Sequence, residues 1–154
     1  MVTAARARAA KRAPALKPGA TRRQLQTVLD AARFVRGWKF RVVSVDGPEC
    51  TIEMPFHKLL ERPGRVVNGP ALMAAADVAM WLAIKAHIGL DRDALTSELN
   101  TAFLAPARAE SVFCTARILK LGKRSIYGVA ECHSRSGVLF SHHTLTYVRL
   151  APPA

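Results

Sequence analysis

One acidic residue stands inside a long apolar run. Residues 66–87 read VVNGPALMAAADVAMWLAIKAH, and Asp77 is the only carboxylate among them. A charge buried without a partner among apolar side chains costs several kcal/mol, so this position needs a compensating interaction or a chemical use. A carboxylate partly shielded from water can activate a water molecule or attack a carbonyl carbon. The structural alternative is an ion pair with a Lys or Arg from a neighbouring strand.

The residues before this run carry strong signals for the start of a helix. Asn68 is a good N-cap, Gly69 lets another group approach the backbone closely, and Pro70 suits the first helical turn. The Ala, Leu and Met residues that follow predict a helix to about His87, ended by Gly89. Apolar residues occur around its whole circumference, so we expect other elements to enclose it. Free N–H groups at its first turn could stabilise an oxygen that gains negative charge.

The spacing of Gly69 and Asp77 sets a condition on their joint action. Eight helical residues separate them by roughly 12 Å. A catalytic base must lie about 3 Å from its target or one water molecule away, so one carbonyl group cannot reach both residues of a single chain. Two antiparallel copies of the helix would bring Gly69 of one copy to Asp77 of the other. If both residues act together, the site therefore requires a homodimer.

The flanking segments predict the elements that must position this helix. Residues 21–38 have apolar residues at helical spacing behind Thr21, and Gly37 ends that pattern. Residues 39–56 alternate on both sides of a turn and predict a hairpin, and a loop follows. Four runs with period two follow the central helix: LTSELNTAFLAPA, ESVFCTARILKL, SIYGVAECHS and VLFSHHTLTYVRL. The chain thus predicts an α+β fold, an antiparallel sheet wrapped around a long central helix, with edges that favour symmetric dimerisation.

Length and charge predict one domain with a basic extension. The chain has 154 residues and 23 Lys and Arg against 11 Asp and Glu. Residues 1–23 hold seven basic residues and no acid, which predicts a disordered tail, and residues 24–154 form a single domain. An arm that binds polyanions and a targeting leader are the other interpretations of the tail. No aromatic residues interleave with its charges and the domain has no recognition motif, so nucleic-acid binding is not favoured.

The cysteines and the apolar run predict a cytoplasmic protein with no membrane anchor. Cys50, Cys114 and Cys132 lie far apart in strand-like segments, which predicts buried, reduced thiols. The apolar stretch of residues 70–84 is too short to span a bilayer and has Asp77 near its middle.

Residues 37–150 resemble the hotdog-fold acyl-CoA thioesterases, in particular the subfamily that includes the phenylacetate-pathway thioesterase. The resemblance rests on the first two strands, the loop RPGRVVNGP, an acid eight residues after the loop glycine, and the segment ELNTAFLAPA. The last two strands, in GKRSIYGVAECHSRSGVLFSHHTLTYVRL, also match. The resemblance implies a two-fold dimer with the active site at the subunit interface. The implied reaction is hydrolysis of an acyl- or aroyl-CoA to the free acid and coenzyme A, with no metal or organic cofactor.

The same resemblance implies roles for individual residues. Gly69 falls where the family uses a backbone N–H as oxyanion donor, and Asp77 where it places the nucleophile or general base. Thr96 falls where a Ser or Thr orients the water or the carboxylate. Asn68 becomes the candidate auxiliary polar group, and with Pro70 it departs from the usual His-Gly-Gly. Arg62, not an Asn or Gln, lies near the position that would orient the water.

Pro70 and several further residues are candidates for substrate binding. Trp81 lies one turn after Asp77, and Met73 and Met80 flank the same face of the helix. These residues would either line an acyl pocket or pack in the core. His57 follows the second strand and could lie near the active-site loop or in solvent. Lys123 and Arg124, at a predicted hairpin, could meet the phosphates of coenzyme A or remain solvated.

The histidines do not predict a metal site. His142 and His143 are adjacent on an alternating strand, so their side chains point to opposite faces and cannot share a metal. His87 and His133 have no partner at ligand spacing.

Two other functions compete with thioester hydrolysis. Hydration of an enoyl thioester on the same fold needs a His paired with the Asp. That His would lie four or five residues after Asp77, where this chain has Trp81 and Leu82. A non-catalytic acyl-CoA-binding protein would explain the altered loop at residues 68–70. The sequence leaves open the acyl group and the choice between a dimer and a tetramer.

Overall fold

The computed structural model describes residues 15–152. The helices are α1 (Arg22–Ala31) and α2 (Gly69–Ile88), and short 3-10 helices occur at Arg33–Trp38 and Lys58–Leu60. The strands are β1 (Arg41–Asp46), β2 (Glu49–Met54), β3 (Glu61–Arg62), β4 (Val66–Val67), β5 (Ala94–Phe103), β6 (Val112–Leu121), β7 (Ser125–His133) and β8 (Leu139–Arg149).

Six of these strands form one antiparallel sheet in the order β1-β2-β6-β7-β8-β5, and β3 pairs only with β4. Helix α2 packs across one face of the large sheet, against β6, β7, β2, β5 and β8. The core is the apolar layer between them. The predicted antiparallel sheet wrapped around a central helix is confirmed.

Helix α2 begins and ends where its local sequence directs. The Asn68 side chain accepts a hydrogen bond from the Ala71 N–H at 2.8 Å, and Pro70 occupies the first turn. Gly89 takes a φ of 114° and its N–H donates to the Lys85 carbonyl, which ends the helix. Twelve of its twenty residues are buried. Between Gly69 and Trp81, the residues of α2 that are not buried lie on one face of the helix. They are Gly69, Pro70, Met73, Ala74, Asp77 and Trp81.

Gly128 allows α2 to lie close to the sheet. A Cβ atom at this position of β7 would come within 2.4 Å of the Met80 side chain and 2.5 Å of the Arg117 carbonyl oxygen. Only a residue without a side chain fits between the helix and the neighbouring strand. This close approach sets the distance between α2 and the sheet.

The length of α2 corrects one sequence-based argument. At 20 residues it is long and apolar enough to cross a bilayer, whereas the sequence suggested that this apolar stretch is too short. In this fold 67% of the apolar window is buried inside the protein. The apolar residues of α2 therefore form the core against the sheet.

Two other local predictions differ from the structure. The single helix predicted for residues 21–38 breaks at Ala32, which has extended backbone angles, and continues as a 3-10 turn. The break buries Val35 and leaves Phe34 74% exposed. The loop predicted after β2 contains the short β3–β4 pair, which holds the chain just before α2.

Most of the predicted basic tail, residues 1–14, lies outside the described residues. Within residues 15–23, the Gly19 N–H donates to the Ala86 carbonyl at 2.6 Å and Ala20 is buried. Thr21 forms a capping box with Gln24 at the start of α1. The packed part of the chain thus includes residues before position 24.

Candidate active site

Two hydroxyl groups hold the Asp77 carboxylate. Thr96 Oγ1 donates a hydrogen bond to Asp77 Oδ1 at 2.6 Å, and the Tyr147 hydroxyl lies 2.5 Å from the same oxygen. The Tyr147 hydroxyl also lies 2.7 Å from the Asp77 carbonyl oxygen. Thr96 on β5 and Tyr147 on β8 are directly paired in the sheet, so both hydroxyl donors lie next to the same point of α2.

Within residues 15–152, Asp77 takes part in no ion pair. The buried cation of the same helix, Lys85, is engaged elsewhere: its Nζ donates to the Leu90 and Arg92 carbonyls and lies 3.8 Å from Asp93. The structural alternative of an ion pair for Asp77 therefore does not hold in the described part of the chain. All hydrogen bonds found there for the carboxylate reach Oδ1, which leaves Oδ2 available to a ligand or water.

Tyr147 remains a hydrogen-bond donor. Burial, followed by the negative charge of Asp77, raises the pKa of the Tyr147 phenol well above its ordinary value. The phenol is 2% exposed and therefore stays protonated across the physiological range. Because Thr96 and Tyr147 both donate to Oδ1, two points on the sheet hold this oxygen in place.

The carboxylate faces a cavity of about 270 Å³. One wall is aromatic: Trp81 packs edge-to-face with Phe34, with ring centroids 5.9 Å apart. The Trp81 Nε1–H donates to Asp93 Oδ1 at 3.0 Å, which fixes the indole. The remaining lining residues are Val78, Ala94, Leu95, Thr96 and Tyr147. The predicted residue Trp81 therefore lies beside Asp77 in the same cavity.

Gly69 lines a different cavity, of about 450 Å³, with Arg62, Leu72 and Phe103 among its walls. A Cβ atom at Gly69 would come within 3.1 Å of the Phe103 ring. The N–H of Gly69 donates to no protein atom in the described part of the chain, as expected for the first turn of a helix. Within one chain, Gly69 and Asp77 therefore do not share a cavity.

The other predicted site residues lie apart from Asp77. The Asn68 amide caps α2 and also donates from Nδ2 to the Leu60 carbonyl at 2.9 Å, and Pro70 is exposed beside it. Met73 shares the face of α2 with Asp77 but does not line its cavity. His57 precedes a short 3-10 helix, and its buried Nε2 has no protein partner among residues 15–152.

Lys123 and Arg124 are exposed at the turn between β6 and β7. They line a third cavity, separate from those that contain Asp77 and Gly69. Any ligand they hold would therefore lie outside the cavity of the carboxylate.

The cysteines and the paired histidines take no part in this cavity. Cys50, Cys114 and Cys132 are free and buried, and burial raises the pKa of the Cys50 thiol to about 12. His143 is buried and contacts Thr101, whereas His142 faces outward and lies 3.0 Å from a Glu131 carboxylate oxygen. The two imidazoles therefore lie on opposite faces of the sheet.

Sequence reasoning missed Tyr147, Phe34 and Asp93 as neighbours of Asp77. A signal for Tyr147 was present in the alternation of β8, which places Tyr147 on the same face as His143 and Leu145. A phenol on the inward face of a sheet needs a polar partner, and the single acid of the facing helix is the natural one.

Comparisons with known proteins agree with this architecture. A family model described as the Thioesterase superfamily matches residues 64–141, just over half of the chain. The Haemophilus influenzae thioesterase HI1161 aligns with a TM-score of 0.81 and 18% identity, covering 91% of this chain and 97% of that one.

Two further solved structures are similar. The conserved protein PA5202 from Pseudomonas aeruginosa gives a TM-score of 0.75 at 26% identity, covering 83% of this chain and 98% of that one. The E. coli PaaI protein from the phenylacetic acid degradation operon gives 0.76 at 15% identity, covering 86% and 98%. Together with the family model, these likenesses confirm the hotdog fold that the sequence predicted.

Proposed function

Because this chain belongs to the thioesterase superfamily, we propose that it hydrolyses an acyl- or aroyl-CoA thioester to the free acid and coenzyme A. The observation that carries the proposal is the Asp77 carboxylate, which two hydroxyl donors hold by one oxygen at the edge of a cavity. A carboxylate that serves only structure would be expected to engage both oxygens or to pair with a cation.

We propose that the working unit is a homodimer with shared active sites. The exposed face of α2 carries both Gly69 and Asp77, and the outer edge of the adjacent strand β5 pairs with no described strand. Two-fold pairing of these surfaces would cover the exposed side chains of Leu95 and Phe103. It would also bring the Gly69 cavity of one protomer to the Asp77 cavity of the other. A tetramer built from two such dimers would need a further surface on each dimer.

The chemistry would proceed at the junction of the two cavities. Asp77 Oδ2 either removes a proton from water, which attacks the thioester carbonyl carbon, or attacks that carbon itself to form an acyl-enzyme that water then hydrolyses. The carbonyl oxygen becomes an oxyanion and accepts a hydrogen bond from the Gly69 N–H at the positive end of α2. When the oxyanion collapses, the carbon–sulfur bond breaks and the thiolate leaves as coenzyme A, which then takes up a proton.

Turnover of a thioester panel tests the proposal directly. We expect the purified protein to release coenzyme A from at least one member of a set of short, long and aromatic acyl-CoA substrates, monitored by trapping the free thiol. Tight binding of acyl-CoA without turnover of any member would instead favour the non-catalytic binding protein.

Replacing Tyr147 by phenylalanine tests the orientation of the carboxylate. The variant removes the hydroxyl and keeps the ring, so Oδ1 of Asp77 retains only the Thr96 donor. Loss of about 1.4 kcal/mol of positioning in the transition state corresponds to a fall of about tenfold in kcat. We expect KM to change little, because the variant keeps the ring that lines the cavity and removes only the hydroxyl that contacts Asp77.

The matched control for this experiment is Tyr127→Phe. Tyr127 lies on the adjacent strand β7, is 41% exposed and does not line the Asp77 cavity, so its variant should keep the wild-type kcat. Equal kcat values for the two variants would contradict a positioning role for Tyr147, as would a rise in KM alone.

A further inference from the structure

A buried lysine lies in the last turn of α2, next to residues that line the Asp77 cavity. Lys85 is 6% exposed and is the only buried Lys or Arg among residues 15–152. We propose that Lys85 is a positioning residue for substrate binding, which holds the aromatic wall of this cavity in place through Asp93 and Trp81. The inference rests on the proposed function, in which the substrate occupies this cavity.

The Lys85 ammonium group is held by the loop that follows α2. Its Nζ donates to the Leu90 carbonyl at 3.1 Å and to the Arg92 carbonyl at 2.7 Å, and it lies 3.8 Å from Asp93 Oδ1. A buried ammonium group without such partners would be strongly unfavourable. The same contacts hold residues 90–93 against the end of the helix, so the position of Asp93 depends on Lys85.

Asp93 connects this loop to the wall of the cavity. Its Oδ1 accepts hydrogen bonds from the Trp81 Nε1–H and from the Ala94 N–H, both at 3.0 Å. The Lys85 Nζ also lies 5.6 Å from the centroid of the Trp81 ring, within the range of a cation–π interaction. The ammonium group therefore contacts both partners of the hydrogen bond between Trp81 and Asp93.

The contacts of Trp81 extend this effect across the cavity wall. Trp81 and Asp93 both line the Asp77 cavity, whereas Lys85 does not. The Phe34 ring, which is otherwise largely exposed, packs edge-to-face against Trp81. A shift of the indole would therefore change the contacts of both aromatic rings. Lys85 acts on a substrate only through residues that can touch it.

The alternative role for Lys85 is stability alone. A cation in the last turn of a helix interacts favourably with the helix dipole, and this effect needs no contact with the cavity wall. That role does not account for an ammonium group placed beside both Asp93 and the indole. The two roles predict different results, because a purely stabilising Lys85 would leave the Trp81 indole and the binding of substrate unchanged in a folded variant.

Fluorescence of Trp81 tests the positioning directly. Trp38→Phe leaves Trp81 as the only tryptophan of the chain, and quenching by acrylamide then reports access to its indole. In this background Lys85→Met keeps the length of the side chain and removes its charge. We expect the quenching constant to rise about twofold, because the hydrogen bond from Trp81 to Asp93 is weakened. Lys17→Met makes the same exchange at an exposed lysine and should leave the quenching constant unchanged.

Kinetics test the consequence for the substrate. With an acyl-CoA substrate, Lys85→Met should raise KM about fivefold and keep kcat within about twofold of wild type, because the wall binds ground state and transition state alike. Asp93→Ala should raise KM and the quenching constant in the same way. Adding Lys85→Met to Asp93→Ala should change neither value further, since the two residues act in one chain of contacts.

The outcomes separate this inference from the proposed function. A folded Lys85→Met variant that keeps the wild-type KM or the unchanged quenching constant would overturn the inference, and so would additive effects of Lys85→Met and Asp93→Ala. If Lys85→Met does not fold, Lys85→Gln, which keeps a donor for the loop carbonyls, is measured against the same criteria. If the wild type hydrolyses no thioester, the proposed function fails, and the quenching constant alone decides on Lys85.

Discussion

The variant Asp77→Asn is expected to lose between about a hundredfold and ten-thousandfold in kcat, the usual contribution of a positioned base. An amide cannot take a proton from water at neutral pH, nor can it attack a thioester as a carboxylate does. The fold should survive, because the amide oxygen can still accept the hydrogen bonds of Thr96 and Tyr147. Thiol release measures the loss of activity, and thermal melting measures the stability.

Asp46→Asn is the matched control for this change. Asp46 is exposed at the end of β1 and far from α2 in the sheet order, so its variant should retain wild-type turnover and melting temperature. If Asp77→Asn turned over substrate as fast as the control, Asp77 would be neither the base nor the nucleophile. A large drop in melting temperature for Asp77→Asn alone would indicate that the carboxylate serves stability.

Helices and strands whose bounds depend on neighbouring residues in the chain could be predicted from the sequence. The bounds of α2 follow from the capping side chain of Asn68, the proline in its first turn and Gly89 at its end. The four long strands after α2 could be predicted because their apolar and polar residues alternate over nine to eleven positions. The strands β3 and β4 could not, since two residues are too few to show a period.

The candidate site was predicted less completely, because its parts depend on long-range pairing. Asp77 stands out in a sequence, and Thr96 could be placed by resemblance, but Tyr147 meets them only through the register of β5 with β8. Phe34 reaches Trp81 only because the first helix breaks at Ala32, a residue type that ordinarily continues a helix. Tertiary packing overrides local propensity there, so the aromatic wall of the cavity could not be derived from spacing.

The separation of Gly69 and Asp77 within one chain leads to a prediction about mixed dimers. Gly69→Pro removes the N–H that would stabilise the oxyanion, and Asp77→Ala removes the carboxylate. We expect each variant alone to be nearly inactive, with a loss of at least about a hundredfold. In a dimer with one protomer of each kind, one shared site carries both defects and the other carries neither. Co-expression with two affinity tags isolates such dimers, and they should recover about half of the wild-type kcat.

The controls for this experiment address folding and subunit exchange. Gly69→Ala introduces the same contact with Phe103 and keeps the N–H, so it should lose less activity than Gly69→Pro. Doubly tagged dimers that carry Asp77→Ala in both protomers should remain inactive. Recovery in the mixed dimer alone requires that Gly69 of one protomer serve Asp77 of the other. Mixed dimers as inactive as either parent would contradict the shared site. Gly69 and Asp77 would then have to act within one chain, although they line separate cavities there.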